Sequence, residues 1–80
     1  MDKQQITEKL KVCLGDEFEV AHDKFSTEAL LKDDLGFDSL DMVDVIVLLN
    51  EEFEVKLTSE DFVHCRTFGQ LVDLLAARAR

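Results

Sequence analysis

Residues 39–53, SLDMVDVIVLLNEEF, contain the apolar run Val45–Leu49, which most limits the fold this chain can adopt. Its β-branched residues suit a strand. A half-buried strand alternates, however, and Ile46, Val47, Leu48 and Leu49 are consecutive apolars. Helical spacing succeeds where alternation fails. Met42, Val45, Ile46, Leu49 and Phe53 recur at i, i+3, i+4, i+7 and i+11, which is one face of a helix. The spacing predicts a helix from Ser39 to Phe53, and the remaining residues must give its apolar face something to pack on.

Two further helices can do so. Ile6, Leu10, Cys13 and Leu14 make one face over residues 3–14, with Lys3, Glu8, Lys9 and Lys11 largely elsewhere and Gly15 as the expected stop. Thr67 and Gln70 form a capping box that opens a last helix, with Phe68, Leu71, Val72, Leu75 and Ala79 inward. Arg78 and Arg80 suit its negative C-terminal end. Thr58 with Asp61 resembles a second box and predicts a short helix through Val63. Residues 15–38 are left as a long connection, pinned by Phe18, Val20, Phe25, Leu30, Leu31 and Leu35, with a helical turn expected at Thr27–Leu31. The expected class is all-α: a small four-helix bundle of three main helices and one short helix, as a single domain over residues 1–80.

Composition narrows the partners. Eighteen acids against nine bases leave a net charge of −9, which repels nucleic acid and anionic membranes and favours a basic protein partner. Val45–Leu49 is far short of a membrane span, and the N-terminal residues MDKQQITEKL carry no apolar signal core. A cytoplasmic location is expected. Cys13 and Cys65 form no C-x-x-C pair or disulfide framework and sit at expected core positions. With His22 and His64 they match no zinc spacing. An EF-hand loop counted from Asp34 meets Ser39 where glycine is required and Val45 where glutamate is required. No metal site is expected.

The stretch DDLGFDSLDMVD, residues 33–44, sets a serine between two aspartates at the start of the central helix. Ser39 admits three readings. Either Asp38 or Ser39 can cap the helix, accepting bonds from its free N–H groups. Ser39 can instead be a nucleophile, which requires a base within hydrogen-bond reach. The only histidines are His22, in the long connection, and His64, beyond the short helix; Asp38 and Asp41 are poor bases for an alcohol. Thirdly, Ser39 can be the substrate of another enzyme. A helix N-terminus then favours a phosphate ester on it, and no internal base is required.

These residues resemble the acyl carrier protein family. Asp34-Leu35-Gly36, Asp38-Ser39-Leu40 and Asp41 match its motif, EEFEVKLTSEDF matches its turn into a short third helix, and the likeness runs from Ile6 to about Ala77. The resemblance implies that Ser39, flanked by Asp38 and Leu40, carries a 4′-phosphopantetheine arm donated by coenzyme A. It implies a monomeric carrier that catalyses nothing itself and delivers acyl thioesters to enzymes of fatty-acid, polyketide or related lipid synthesis. Its partners are a phosphopantetheinyl transferase and acyl-processing enzymes with basic docking patches. Leu40, Asp41, Val43, Asp44, Val47 and Glu51 match the family's recognition helix, and the exposed apolars among acids suit a transient interface on their own account. Met42, Ile46, Leu49 and Phe62 would shelter the acyl chain.

Four departures from the family pattern stand out: Phe37 for a small residue, which would narrow access to Ser39 or select a transferase; Asn50 for an acid; Thr58 for proline; and the segment His64-Cys65-Arg66. They point to a specialised carrier. The acidic surroundings of Ser39 favour an acyl carrier over an aminoacyl or peptidyl carrier, and an unmodified helical interaction module is the third alternative.

Overall fold

The structure is a computed structural model that describes residues 2–78. Helix α1 runs Lys3–Phe18, a 3-10 turn follows at His22–Lys24, α2 spans Ser39–Phe53, a second 3-10 turn covers Ser59–Phe62, and α3 spans Phe68–Arg78. The all-α class, the three main helices and the short fourth element are as the spacing predicts, and α2 has the predicted bounds. Among the described residues the β-type pairing is a single antiparallel bridge, Leu30 to Thr67. Ala79 and Arg80 lie outside the described residues.

Apolar spacing builds the core directly. Ile6, Leu10 and Leu14 from α1, Val45, Leu49 and Phe53 from α2, and Phe68, Leu71, Val72 and Leu75 from α3 are buried together. Met42 and Ile46, on the edge of the same α2 face, are half-buried against them. Cys13 and Cys65 are half-buried free thiols rather than full core residues. Burial still pushes both thiols up, Cys65 to about 11, so they behave as apolar surface.

Three expectations are corrected. Gly15 does not stop α1, which continues to Phe18. The connection folds back over this glycine, so that a Cβ there would lie 3.1 Å from the His22 ring and from the Val20 carbonyl. Its bareness serves close approach. The helix ends instead at Glu19, in a left-handed conformation with φ 55°.

The helical turn of the connection falls at His22–Lys24, not at Thr27–Leu31. The backbone of 27–31 is already engaged. The Thr27 carbonyl accepts from the Gly69 N–H (2.9 Å), the Ala29 carbonyl from the Phe68 N–H (2.9 Å), and the Leu31 N–H donates to the Arg66 carbonyl (2.9 Å). The first two bonds satisfy donors that the start of α3 cannot satisfy internally. They fasten the segment to the start of α3, and the Leu30 side chain is partly exposed rather than anchored inside.

The short fourth element is 3-10 rather than α and ends at Phe62, one residue before the expected Val63. Its box is as expected in one direction: the Asp61 carboxylate accepts the Thr58 N–H at 2.9 Å. Proline has no N–H to donate, so threonine at 58 makes a bond that the residue common in the resembled family cannot make. Asn50 is similarly specific. Its amide donates to the Leu57 carbonyl (3.2 Å) and accepts the Leu57 N–H (2.7 Å), fastening α2 to the strap that follows it. A carboxylate at 50 has no proton for the first of these bonds.

Candidate functional site

The site is assembled by the end of the connection. The Asp34 carboxylate accepts the Leu30 N–H at 2.7 Å, while the Asp34 and Leu35 N–H groups return to the Leu30 carbonyl at 2.9 and 3.0 Å. Gly36 follows with φ 79°, a conformation that favours glycine, and turns the chain so that Phe37 points inward. Phe37 is 2% exposed, and its ring meets Phe18 edge to face at 5.1 Å. Its bulk therefore fills the core and does not cover Ser39, which is exposed. Narrowed access to the serine is not what the structure places there.

Asp38 is the cap of α2. Its carboxylate accepts the Asp41 N–H at 2.9 Å, and the Asp41 carboxylate accepts the Asp38 N–H at 3.2 Å. This reciprocal box relieves Ser39 of the capping role. Ser39 occupies the first helical position, and its hydroxyl enters no hydrogen bond with the described residues. The N–H groups of Ser39 and Leu40 have no intrahelical acceptor and add to the positive end of the helix dipole.

Beside Ser39 lies a groove of about 380 Å³ between the connection, α2 and the segment before α3. Leu30, Leu31, Phe37, Met42, Phe62 and Cys65 form its apolar walls, and Lys32, Asp33, Asp38 and Arg66 its charged margin. Neither histidine lines it, so the groove brings no imidazole to Ser39 as a base. Of the four residues expected in an acyl pocket, Met42 and Phe62 line this groove. Leu49 is fully buried and Ile46 packs against the core, and neither contributes to it. Leu30, Leu31, Lys32, Asp33, Cys65 and Arg66 are contributors that the sequence reading missed. The Leu-Leu pair read as two core anchors, whereas the bridge to Thr67 turns only Leu31 inward.

Five of the six residues expected on a partner face are exposed along α2. Leu40 is 78% exposed, Val43 59% and Val47 52%, with exposed Asp44 and Glu51 beside them and half-buried Asp41 held in the cap. Val63, 62% exposed, is a further bare apolar residue just beyond the second 3-10 turn. Among the described residues no three His, Cys, Asp or Glu side chains gather as a metal-binding group, and no helix is long and apolar enough to cross a membrane.

A freely exposed serine on the positive end of a helix, with an apolar groove alongside and two bases at its margin, suits an anionic phosphate ester with a long organic tail. The family described as "Phosphopantetheine attachment site" matches residues 8–75. The chain belongs to that family, and its prosthetic group is a covalently attached 4′-phosphopantetheine. Its relatives include the acyl carrier protein of Clostridium perfringens, 38% identical over 68 residues that make up 85% of this chain and 90% of that one. The acyl carrier protein of Thermosynechococcus vestitus is 35% identical over 75 residues, 94% of this chain and 93% of that one.

Proposed function

We propose that residues 1–80 act as one acyl carrier domain, with Ser39 as the attachment point of the arm. The observation that carries this assignment is the division of labour at the start of α2: Asp38 caps the helix, and the Ser39 hydroxyl stays exposed and unbonded. The arm supplies a thiol on which acyl groups ride as thioesters. The chain's own residues present the serine, hold the helix end that faces the phosphate, and exclude water from part of the groove through Met42, Phe62 and Leu31.

Chemistry on the cargo then belongs to partners, and the carrier is not itself an enzyme. A phosphopantetheinyl transferase and enzymes of fatty-acid, polyketide or related lipid synthesis would dock on Leu40, Val43, Asp44, Val47 and Glu51. Basic patches on those partners are drawn by a chain of net charge −9 and then held by a few apolar contacts. The working form is a monomer in the cytoplasm.

The test is incubation with coenzyme A and a broad-specificity phosphopantetheinyl transferase, followed by intact mass. Wild type should gain one arm and Ser39→Ala none. An unmodified wild-type chain, beside a control carrier that is fully loaded, would overturn the assignment.

A further inference from the structure

We infer that Lys32 and Arg66 form a clamp for the phosphodiester that joins the arm to Ser39, an inference that rests on the attachment reading above. The two bases come from segments far apart in sequence that the backbone fastens together. The Leu31 N–H donates to the Arg66 carbonyl at 2.9 Å, and Leu30 bridges Thr67. The Arg66 N–H in turn donates to the Gln70 side chain at 2.7 Å, which ties it to the start of α3. Both residues line the groove that Ser39 also lines.

Charge makes the placement notable. The chain carries −9, yet the four charged residues at this margin, Lys32, Asp33, Asp38 and Arg66, sum to zero. Asp38 is further occupied as the acceptor of the Asp41 N–H. The ion pairs among the described residues are Lys3 with Asp73 and Asp61 with Arg78, so no carboxylate of the described residues pairs with Lys32 or Arg66. An anion on Ser39 would therefore meet two cations and the N-terminus of α2, in a chain whose surface otherwise repels it. Cys65, which lines the same groove, has its thiol pushed up to about 11 by burial, and acts as apolar wall rather than as a competing thiolate.

Held at its phosphate, the arm would start along the groove instead of swinging freely from the serine. The test uses the loaded protein with an isotope-labelled arm, after intact mass has shown complete modification. The order parameter of the arm amide nearer the phosphate is measured by nitrogen relaxation in wild type, in Lys32→Gln/Arg66→Gln, and in Lys24→Gln as an exposed base outside the groove. Backbone spectra of the unmodified variants first establish that each is folded. The clamp predicts a value above about 0.6 in wild type and Lys24→Gln, falling below it in the double variant and in wild type at high salt. Equal values in all three proteins, or an arm already mobile in wild type, would overturn the clamp while leaving attachment at Ser39 standing. A wild-type chain that gains no mass would overturn both.

Discussion

Small local choices at single residues decide whether the site exists. Gly69 is one. A Cβ there would lie 2.5 Å from the Thr27 methyl and 2.9 Å from the Thr27 carbonyl, while the Gly69 N–H donates to that same carbonyl. Alanine would add about 1 kcal/mol of helix propensity, but only by displacing the segment that carries Leu30 and Leu31 to the groove. Gly69→Ala should therefore destabilise on balance by about 1–3 kcal/mol, read as a lower midpoint in urea, and a raised midpoint would show that the segment yields at no cost. Asp61 is the second case. Its carboxyl is held below the ordinary value of 3.8, first by the Thr58 N–H and then by Arg78, whose guanidinium lies 2.7 Å away. A depressed carboxyl contributes stability that is whole above the ordinary value and fades as pH falls through the depressed one. Thr58→Pro removes the leading donor. A proton titration followed by NMR should then find Asp61 shifted upward; an unmoved inflection would assign the effect to Arg78 alone.

Helix ends were less legible than helix faces, and the reason is physical. Apolar periodicity reports burial, and burial is what fixes α2 between Ser39 and Phe53 and selects Leu10, Leu49 and Leu71 for the core. An end depends on where the following chain goes. Glycine is the usual left-handed stop, yet Gly15 lies inside α1, and Glu19 and Glu54 take the left-handed positions at φ 55° and 53°. The path of Thr27–Leu31 likewise depends on hydrogen bonds to residues near the start of α3, about forty positions on, and no local pattern announces them. The candidate site divides in the same way. Asp38, Ser39 and the bare face of α2 are local features and were readable, whereas Lys32 and Arg66 meet only through that long-range pairing. A non-glycine residue in the left-handed region costs about 1 kcal/mol. Glu19→Gly and Glu54→Gly should each stabilise by about 0.5–1 kcal/mol, a rise of several degrees in Tm for a chain of this size. Glu54→Gln is the comparison, because it removes the charge and keeps the strained backbone. A gain from glutamine equal to that from glycine would assign the benefit to charge rather than conformation.

Charge acts at the scale of the whole molecule, and two explanations of partner docking differ only there. A net charge of −9 attracts any basic surface from a distance, whichever face it approaches. A recognition face requires more: acids interleaved with exposed apolar residues, as Asp44 and Glu51 are with Leu40, Val43 and Val47 on α2. Asp44→Lys and Glu51→Lys change net charge by the same amount as Asp73→Lys, which lies on α3. Asp73 pairs with Lys3 at 2.8 Å, but both partners are well exposed, so losing the pair should cost only about 0–1 kcal/mol and leave the fold intact. Circular dichroism checks this first. Loading by a phosphopantetheinyl transferase is then followed at low carrier concentration, where encounter limits the rate, and again at high salt. A local face predicts that Asp44→Lys and Glu51→Lys slow loading about tenfold, chiefly through association, while Asp73→Lys stays within about twofold of wild type. Added salt should narrow the gap, because exposed charges separated by more than about 10 Å are screened at ordinary ionic strength. Equal losses at all three positions would mean that total charge does the steering, and that the acids of α2 have no special part in recognition.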